Sequence, residues 1–244
     1  MKFYVGTSGW VYNHWRERFY PQGMAQVKWL EFYNQHFSTV ELNYSFYRLP
    51  SEKAFTDWRE RSSPGFVYAV KASRFITHLR KLRNVEEALK NFFSRVRILE
   101  EKLGPLLYQL PPNMPRNDRV LEDFFHLLPP DLCHVFEFRS ESWLDEKIFT
   151  LLREHNIGLC IYDMPGFTTP IVSTADFAYI RFHGSTDLYG SCYTDAELER
   201  WANRIIELGD GLKAVYIYFN NDAEAFAIKN ARTLRDKLTT IARG

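Results

Sequence analysis

The sequence predicts an eight-stranded parallel α/β barrel, built as one domain over residues 1–244. Three observations carry that prediction. Short β-like runs alternate with helix-like stretches, an order that demands parallel strands joined by crossovers. Eight such units fit into 244 residues, the usual size of this barrel. No linker, repeat or composition break divides the chain. A doubly wound open sheet has the same alternation and is the rival architecture.

The elements follow in order. Phe3–Ser8 reads as the first strand and Ala25–Phe37 as the helix after it. Thr39–Asn43 is the second strand, and Ser51 caps a helix carrying Ala54, Phe55 and Trp58. Pro64-Gly65 frames the third strand, Phe66–Lys71. Asn84 and Glu87 have capping-box spacing ahead of Val85, Leu89, Phe92 and Val96, which recur with the period of a helix. Gly104-Pro105 is expected to end that helix and open the fourth strand, Leu106–Leu110, which Pro111-Pro112 stops. Val120, Leu121, Phe124, Phe125 and Leu128 form the next apolar stripe.

Cys133–Phe138 is the fifth strand. Ser142 with Asp145 is expected to start the following helix, and Gly158 to close it as a C-cap. Leu159–Tyr162 is the sixth strand. The Pro-, Gly- and Thr-rich segment 163–176 puts a loop where the sixth helix belongs. Phe177–His183 is the seventh strand. Thr194 and Glu197 form a capping box before Leu198, Trp201, Ile205 and Leu208. Ala214–Phe219 is the eighth strand, and Asp222 is expected to cap the last helix.

Composition narrows the function classes. Hydrophobic residues are 45% and charged residues 25%, which excludes a disordered or collagen-like chain. The longest strongly apolar stretches are five or six residues, far below the ~18 a membrane-spanning helix needs. The start, Met1–Gly6, lacks the apolar core of a secretory signal. Three separated cysteines, Cys133, Cys160 and Cys192, form no CxxC pair and fit a reducing compartment. A cytoplasmic protein without membrane contact is expected. The net charge of +1 argues against a globally basic nucleic-acid binder.

A barrel of this kind carries its site at the carboxyl ends of its strands. Reading those ends gives Glu41 and Asn43 on the second strand, Lys71 on the third and Gln109 on the fourth. Glu137 and Arg139 end the fifth, Asp163 the sixth, Arg181 and His183 the seventh, and Asn220 the eighth. Residues two apart share a face, so these polar side chains point into the barrel on strand after strand. Buried charges are costly unless paired or used, and a set of them at one end marks a pocket.

The same residues lie in motifs that resemble the DUF72 (YecE-like) family over nearly the whole chain. The matching stretches are Gly6-Thr-Ser-Gly-Trp10, Thr39–Tyr47, Phe66–Lys71 and Gln109-Leu-Pro-Pro112. They continue with Phe136-Glu-Phe-Arg139 and Trp143, Tyr179–Gly184, and Tyr218–Asp222. The resemblance implies the same barrel with a polar pocket, and no activity.

The pocket chemistry admits several readings. In the first, Arg139 and Arg181 clamp a carboxylate or phosphate, and Glu41 or Glu137 moves a proton with His183 as partner. Asn43, Gln109 and Asn220 then orient polar groups of a small anionic substrate. The turn His183-Gly184-Ser185 and the helix expected from Asp222 sit where such barrels often hold phosphate. Arg181→Ala is expected to fold and to lose ligand binding.

In the second reading, Glu41, Glu137, Asp163 and His183 converge on a divalent metal in a hydrolase or isomerase. No HxH or HExxH motif occurs and arginines lie nearby, so no resident metal or cofactor is predicted. In the third, Lys71 is a Schiff-base nucleophile; an ion pair with Glu41 is the competing expectation. Outside enzymes, Arg74, Arg80, Lys81 and Arg83, with Phe75 and His78 between them, suit a nucleic-acid or phosphometabolite binding module. The aromatic run after the first strand, Trp10 to Tyr20, is expected to plug the barrel edge. No GxGxxG or GxxxxGK[ST] nucleotide motif is present.

Overall fold

The computed structural model describes residues 1–242. The chain alternates strand and helix along its whole described length. Eight parallel strands close into a barrel: β1 (Lys2–Ser8), β2 (Thr39–Leu42), β3 (Val67–Lys71), β4 (Leu103–Leu110), β5 (His134–Phe138), β6 (Gly158–Met164), β8 (Phe177–Phe182) and β9 (Ala214–Phe219). Pairing of β1 with β9 and of β5 with β6 completes the ring, which decides against the open sheet. The segment expected as a loop holds a two-residue strand, β7 (Phe167–Thr168), folded back antiparallel on β6.

The helices pack outside. They are α1 (Trp29–Asn34), α2 (Tyr44–Tyr47), α3 (Glu52–Arg61), α4 (Glu86–Val96), α5 (Asp118–Phe125), α6 (Glu146–Glu154), α7 (Asp195–Gly209) and α8 (Phe226–Ile241). Strand residues of one parity meet these helices in a Phe-, Leu- and Ile-rich core that includes Val40, Val70, Phe136 and Ile180. Residues of the other parity fill the barrel, where Ala69, Leu107, Val135, Cys160, Tyr179 and Tyr218 form a second cluster. Such alternation is the geometry of a strand with two buried faces. Gly6 is required where β1 meets β2, because a Cβ there would lie 2.3 Å from the Thr39 carbonyl oxygen.

Several local expectations are corrected. The helix expected over Ala25–Phe37 is one turn of 3-10 helix, Gln26–Lys28, followed by the short α1. Asn84 does not cap α4: its φ is +52°, and Val85 stands at the cap position without a side-chain bond. Gly104 and Pro105 lie inside β4, whose start at Leu103 follows a 3-10 stretch. Asp145 alone caps α6, accepting from the backbone of Lys147 and Ile148, whereas Ser142 sits in the preceding turn. Gly158 opens β6, and Asn156, at φ +51°, takes the left-handed position ahead of it. Asp222 does not cap the last helix. α8 starts four residues later, after Glu224 and Ala225 adopt left-handed backbone. Ser51 and the Thr194–Glu197 capping box are placed as expected.

Candidate active site

Period-two alternation on β2, β5 and β8 brings Glu41, Glu137 and Arg181 together inside the barrel, all fully buried. Arg181 lies between the two carboxylates. Its Nη1 donates to Glu137 Oε2 at 2.6 Å and its Nη2 to Glu41 Oε1 at 2.9 Å. Glu41 also accepts from Ser8 Oγ at 2.7 Å and from the Tyr179 hydroxyl at 2.6 Å. Each oxygen of Glu137 already accepts two donors: Gln109 Nε2 at 2.6 Å and Arg139 Nε on one, Arg181 and the Cys160 thiol on the other. Burial alone would raise the Glu137 carboxyl. Arg139, Arg181, His183 and Lys71 outweigh it and hold the group well below the usual carboxylate range. Burial works against the Arg181 charge, but Glu137 and Glu41 keep it firmly protonated.

Arg139 turns inward, bonding Glu137 and His183 and covering the Tyr162 ring at 4.3 Å. The two arginines therefore do not open together as a clamp. Arg139 donates to His183 Nε2 at 2.9 Å, so the ring carries its proton on Nδ1. The Asn220 amide lies 3.2 Å from Nδ1, and its oxygen is the atom that proton requires. Burial, then the charge of Arg181, drives the His183 pKa well below its ordinary value. This histidine is a neutral spacer between Arg139 and Asn220.

Above this network lies a cavity of about 650 Å³ at the carboxyl end of the strands, within the range of small-molecule sites. Asn43, Lys71, Gln109, Arg181 and Asn220 reach its wall; Glu41, Glu137, Arg139 and His183 lie behind it. Sequence reasoning missed Phe46, Tyr47 and Tyr189, which complete the wall with Tyr12, Arg74, His78 and Asp222. Phe46 and Tyr47 fall in the Thr39–Tyr47 motif, which was their available signal. Tyr189 carried none, since it comes from a loop held at positive φ.

Lys71 is the unusual group of the wall. The expected ion pair with Glu41 does not form. Lys71 Nζ donates to Gln109 Oε1 at 3.0 Å and lies 4.3 Å from the Phe46 ring centroid, with no carboxylate of the described residues at ion-pair distance. Burial, then the charges of Arg181 and Arg139, bring its pKa down to about 8 against the opposing pull of Glu137 and Glu41. Two carboxylates and two arginines cancel, which leaves the Lys71 charge uncompensated. Two polar atoms of wall residues are buried without a partner, Arg181 Nε and Asn43 Oδ1. Orphaned buried groups of this kind mark a place where a ligand belongs.

Other expectations are corrected by the same geometry. Glu41, Glu137, Asp163 and His183 do not converge on one point. Arg181 separates the two glutamates, and Asp163 turns away to Thr168 and Tyr193. Among the described residues no group of three or more His, Cys, Asp or Glu is arranged to hold a metal. The phosphate position after the seventh and eighth barrel strands is also lost. The Gly184 amide donates to the Tyr193 hydroxyl at 3.2 Å, and Asp222 is bonded by His14 and Trp15 rather than starting α8. Trp10, Trp15, Phe19 and Tyr20 plug the barrel edge, but Tyr12 reaches the cavity. Of the four cations after β3, Arg74 lines the cavity. Arg80 stacks over Phe75 at 5.2 Å, and Lys81 and Arg83 stay outside. No helix among the described residues is long and apolar enough to cross a membrane.

Comparison with known proteins agrees with this architecture. A DUF72 family protein from Thermotoga maritima superposes with a TM-score of 0.88, at 28% identity and over 100% of both chains. A DUF72 family protein from Enterococcus faecalis gives 0.83 at 19% identity, covering 97% of this chain and 95% of that one, a likeness of fold. In sequence, the UPF0759 protein YunF of Bacillus subtilis is 24% identical, over 96% of this chain and 94% of its own. The UPF0759 protein YecE of Escherichia coli is 28% identical over 57% of this chain and 49% of its own. The family described as "Protein of unknown function DUF72" matches residues 4–243. By its barrel and by that match, the chain belongs to the DUF72 family.

Proposed function

We propose that the cavity is the substrate site of an enzyme acting on a small anionic molecule. The single observation that carries this reading is Lys71, a buried ammonium on the wall with no counter-ion of its own. An anion between Lys71 and Arg181 Nε supplies the missing charge and satisfies the orphaned donor. Glu41 and Glu137 serve as fixed counter-ions of Arg181, because their oxygens are already occupied. Proton transfer falls to Lys71 and to His78. The His78 Nδ1 meets Thr77 Oγ1 at 2.9 Å, and its ring lines the cavity. Burial, then the charges of Lys71 and Arg74, lower its pKa and keep it neutral. Asn43 and Asn220 orient the polar groups of the substrate.

Thermal unfolding in rising inorganic phosphate tests this reading. Ligand at 100 times its Kd stabilises a fold by about 2.7 kcal/mol, so Tm is expected to climb for wild type and to stay flat for Lys71→Met. Equal responses of the two proteins to phosphate, sulfate and acetate would defeat it.

A second reading, a binding module for single-stranded nucleic acid, draws on a different observation. Arg74, Arg80 and Arg83 take part in none of the ion pairs among the described residues. Tyr44, Tyr47 and Phe75 are also exposed, Tyr47 at 71% and on the cavity wall with Arg74. Cations interleaved with open aromatic faces suit phosphates and stacked bases. A salt-sensitive affinity for a single-stranded oligonucleotide, lost in the Arg80→Ala, Arg83→Ala double variant, is its expected signature. Absence of binding at low salt would remove it.

A further inference from the structure

We propose that Lys71 is the amine of an imine-forming site, attacking the carbonyl carbon of an aldehyde or ketone that carries an anionic group. The inference rests on the anion-pocket reading and adds the reactive group of the substrate. Three observations support it. First, the ammonium is not locked in place. Two buried carboxylates stand on β2 and β5 of the same interior, yet both are committed to Arg181, and the hydrogen bond from the Lys71 ammonium goes to the neutral Gln109. A lysine kept for structure alone would be expected to take one of those carboxylates.

Second, Lys71 sits at the carboxyl end of a barrel strand, 8% exposed, on the wall of the cavity. The Phe46 face shields it from water on one side. Third, Arg181 lines the same wall, and its Nε is buried and unpartnered. That donor receives the anionic end of the substrate and leaves the carbonyl to the lysine.

The protonation balance suits a nucleophile. The Phe46 face favours the charged form, while burial and the two arginines oppose it more strongly, bringing the lysine to about 8. An amine in that range supplies a useful fraction of free base near neutral pH. His78 packs edge-on against Phe46 with ring centroids 4.9 Å apart, so both titrating groups share one aromatic neighbour.

The chemistry closes in two steps. Lys71 gives one ammonium proton to His78, and its lone pair forms the C–N bond while the carbonyl π electrons move to oxygen, which takes up the proton that the newly bonded nitrogen gives up. His78 then protonates the hydroxyl of this carbinolamine, the C–O bond breaks, and water leaves with its electron pair. The product is a protonated imine on Lys71. In sum, ammonium plus carbonyl gives iminium plus one water, with no oxidant or reductant. An iminium draws electrons from the neighbouring carbon, so the reaction class is making or breaking a bond at that carbon.

Reductive trapping tests the proposal. The full chain is incubated at pH 8 with sodium cyanoborohydride and either pyruvate or glycolaldehyde phosphate, and labelled lysines are located by peptide mass mapping. The two probes distinguish a carboxylate from a phosphate as the anionic end. Lys71 is expected to label at least about tenfold faster than the exposed lysines Lys53 and Lys147, with inorganic phosphate slowing it and Lys71→Arg removing it. Should that variant fail to fold, the pH profile of labelling in wild type replaces it. A midpoint near 8 at Lys71, about two units below that of a free lysine side chain, supports the proposal. Phosphate that raises Tm while neither probe labels Lys71 preferentially overturns the imine and leaves the anion pocket standing. Preferential labelling that phosphate does not slow supports the imine and overturns the anion pocket.

Discussion

Arg181 and Lys71 enter one barrel interior from different strands, and their surroundings are built in opposite ways. Arg181 is 1% exposed and holds two carboxylates that the Ser8 and Tyr179 hydroxyls, Gln109 and Arg139 further fix. Lys71 has one neutral partner and an aromatic face. The first environment consumes charge and gives rigidity. The second leaves charge over, on the wall of the cavity. Counting buried charged residues does not find a site; finding which of them is left unpaid by its neighbours does.

The largest effect should come from breaking the saturated region. Arg181→Met leaves Glu41 and Glu137 buried without a cation, and removal of one partner from a buried pair costs about 3–5 kcal/mol. The expectation that an Arg181 truncation folds normally is thereby reversed. Urea unfolding is expected to show that loss, or no folded protein at all. Glu137→Gln comes next at about 2–3 kcal/mol, because Arg139 and Arg181 each lose a charged partner. It also carries a pH signature. A carboxyl held low in the fold contributes stability above its unfolded pKa that vanishes as pH falls through the folded value. Wild type should therefore lose stability more steeply than Glu137→Gln below about pH 4.5.

Lys71→Met probes the other region and should act with the opposite sign. The unfolded chain keeps this proton to about 10.5 and the folded chain only to about 8. Between those values the unfolded state binds more protons, so wild-type stability rises with pH. At pH 7 Lys71→Met is expected to be more stable than wild type, by up to about 3 kcal/mol. The difference should shrink across pH 8 to 10.5 in unfolding curves measured at several pH values. A destabilised Lys71→Met would mean that the Gln109 bond outweighs desolvation, and the contrast between the two cations would fail. The smallest effect belongs to Arg80→Ala and Arg83→Ala, exposed and outside any ion pair, at under about 0.5 kcal/mol in stability.

Much of this was legible in the chain. Ala214–Phe219 was bounded to the residue, and the parity of Glu41, Lys71, Gln109, Glu137 and Arg181 placed all five inside the barrel. Parity is fixed by the strand repeat, which a one-dimensional reading captures. Partner choice is not. Whether Glu41 binds Lys71 or Arg181 depends on stagger between β2, β3 and β8, which are 30 to 140 residues apart. Cap assignments at Asn84, Gly158 and Asp222 failed for a related reason. Left-handed backbone at Asn84, Asn156, Glu224 and Ala225 is imposed by how the turns dock, against the local preference for glycine. Tyr189 reaches the cavity only because Gly184, at φ +109°, folds its loop back, with the Tyr189 amide bonded to the His183 carbonyl.

The seam between β1 and β9 has a consequence in time. The first strand of the ring finds its second neighbour only when residues 214–219 exist. His14 and Trp15 are tied to the Asp222 carbonyl, some 207 positions downstream. Arg181, the cation between Glu41 and Glu137, is likewise made late. A chain emerging from its N-terminus therefore carries two carboxylates in wet, unfinished surroundings for most of its synthesis. Water leaves the interior in the same event that joins the ends of the sheet. Contacts of such sequence separation fold slowly, and until then the β1 edge is open to pairing with another chain. Shortening the C-terminal end past β9 should thus do more than remove a strand: it should leave seven strands of the ring with the β1 and β8 edges both open to aggregation and the charged interior open to water.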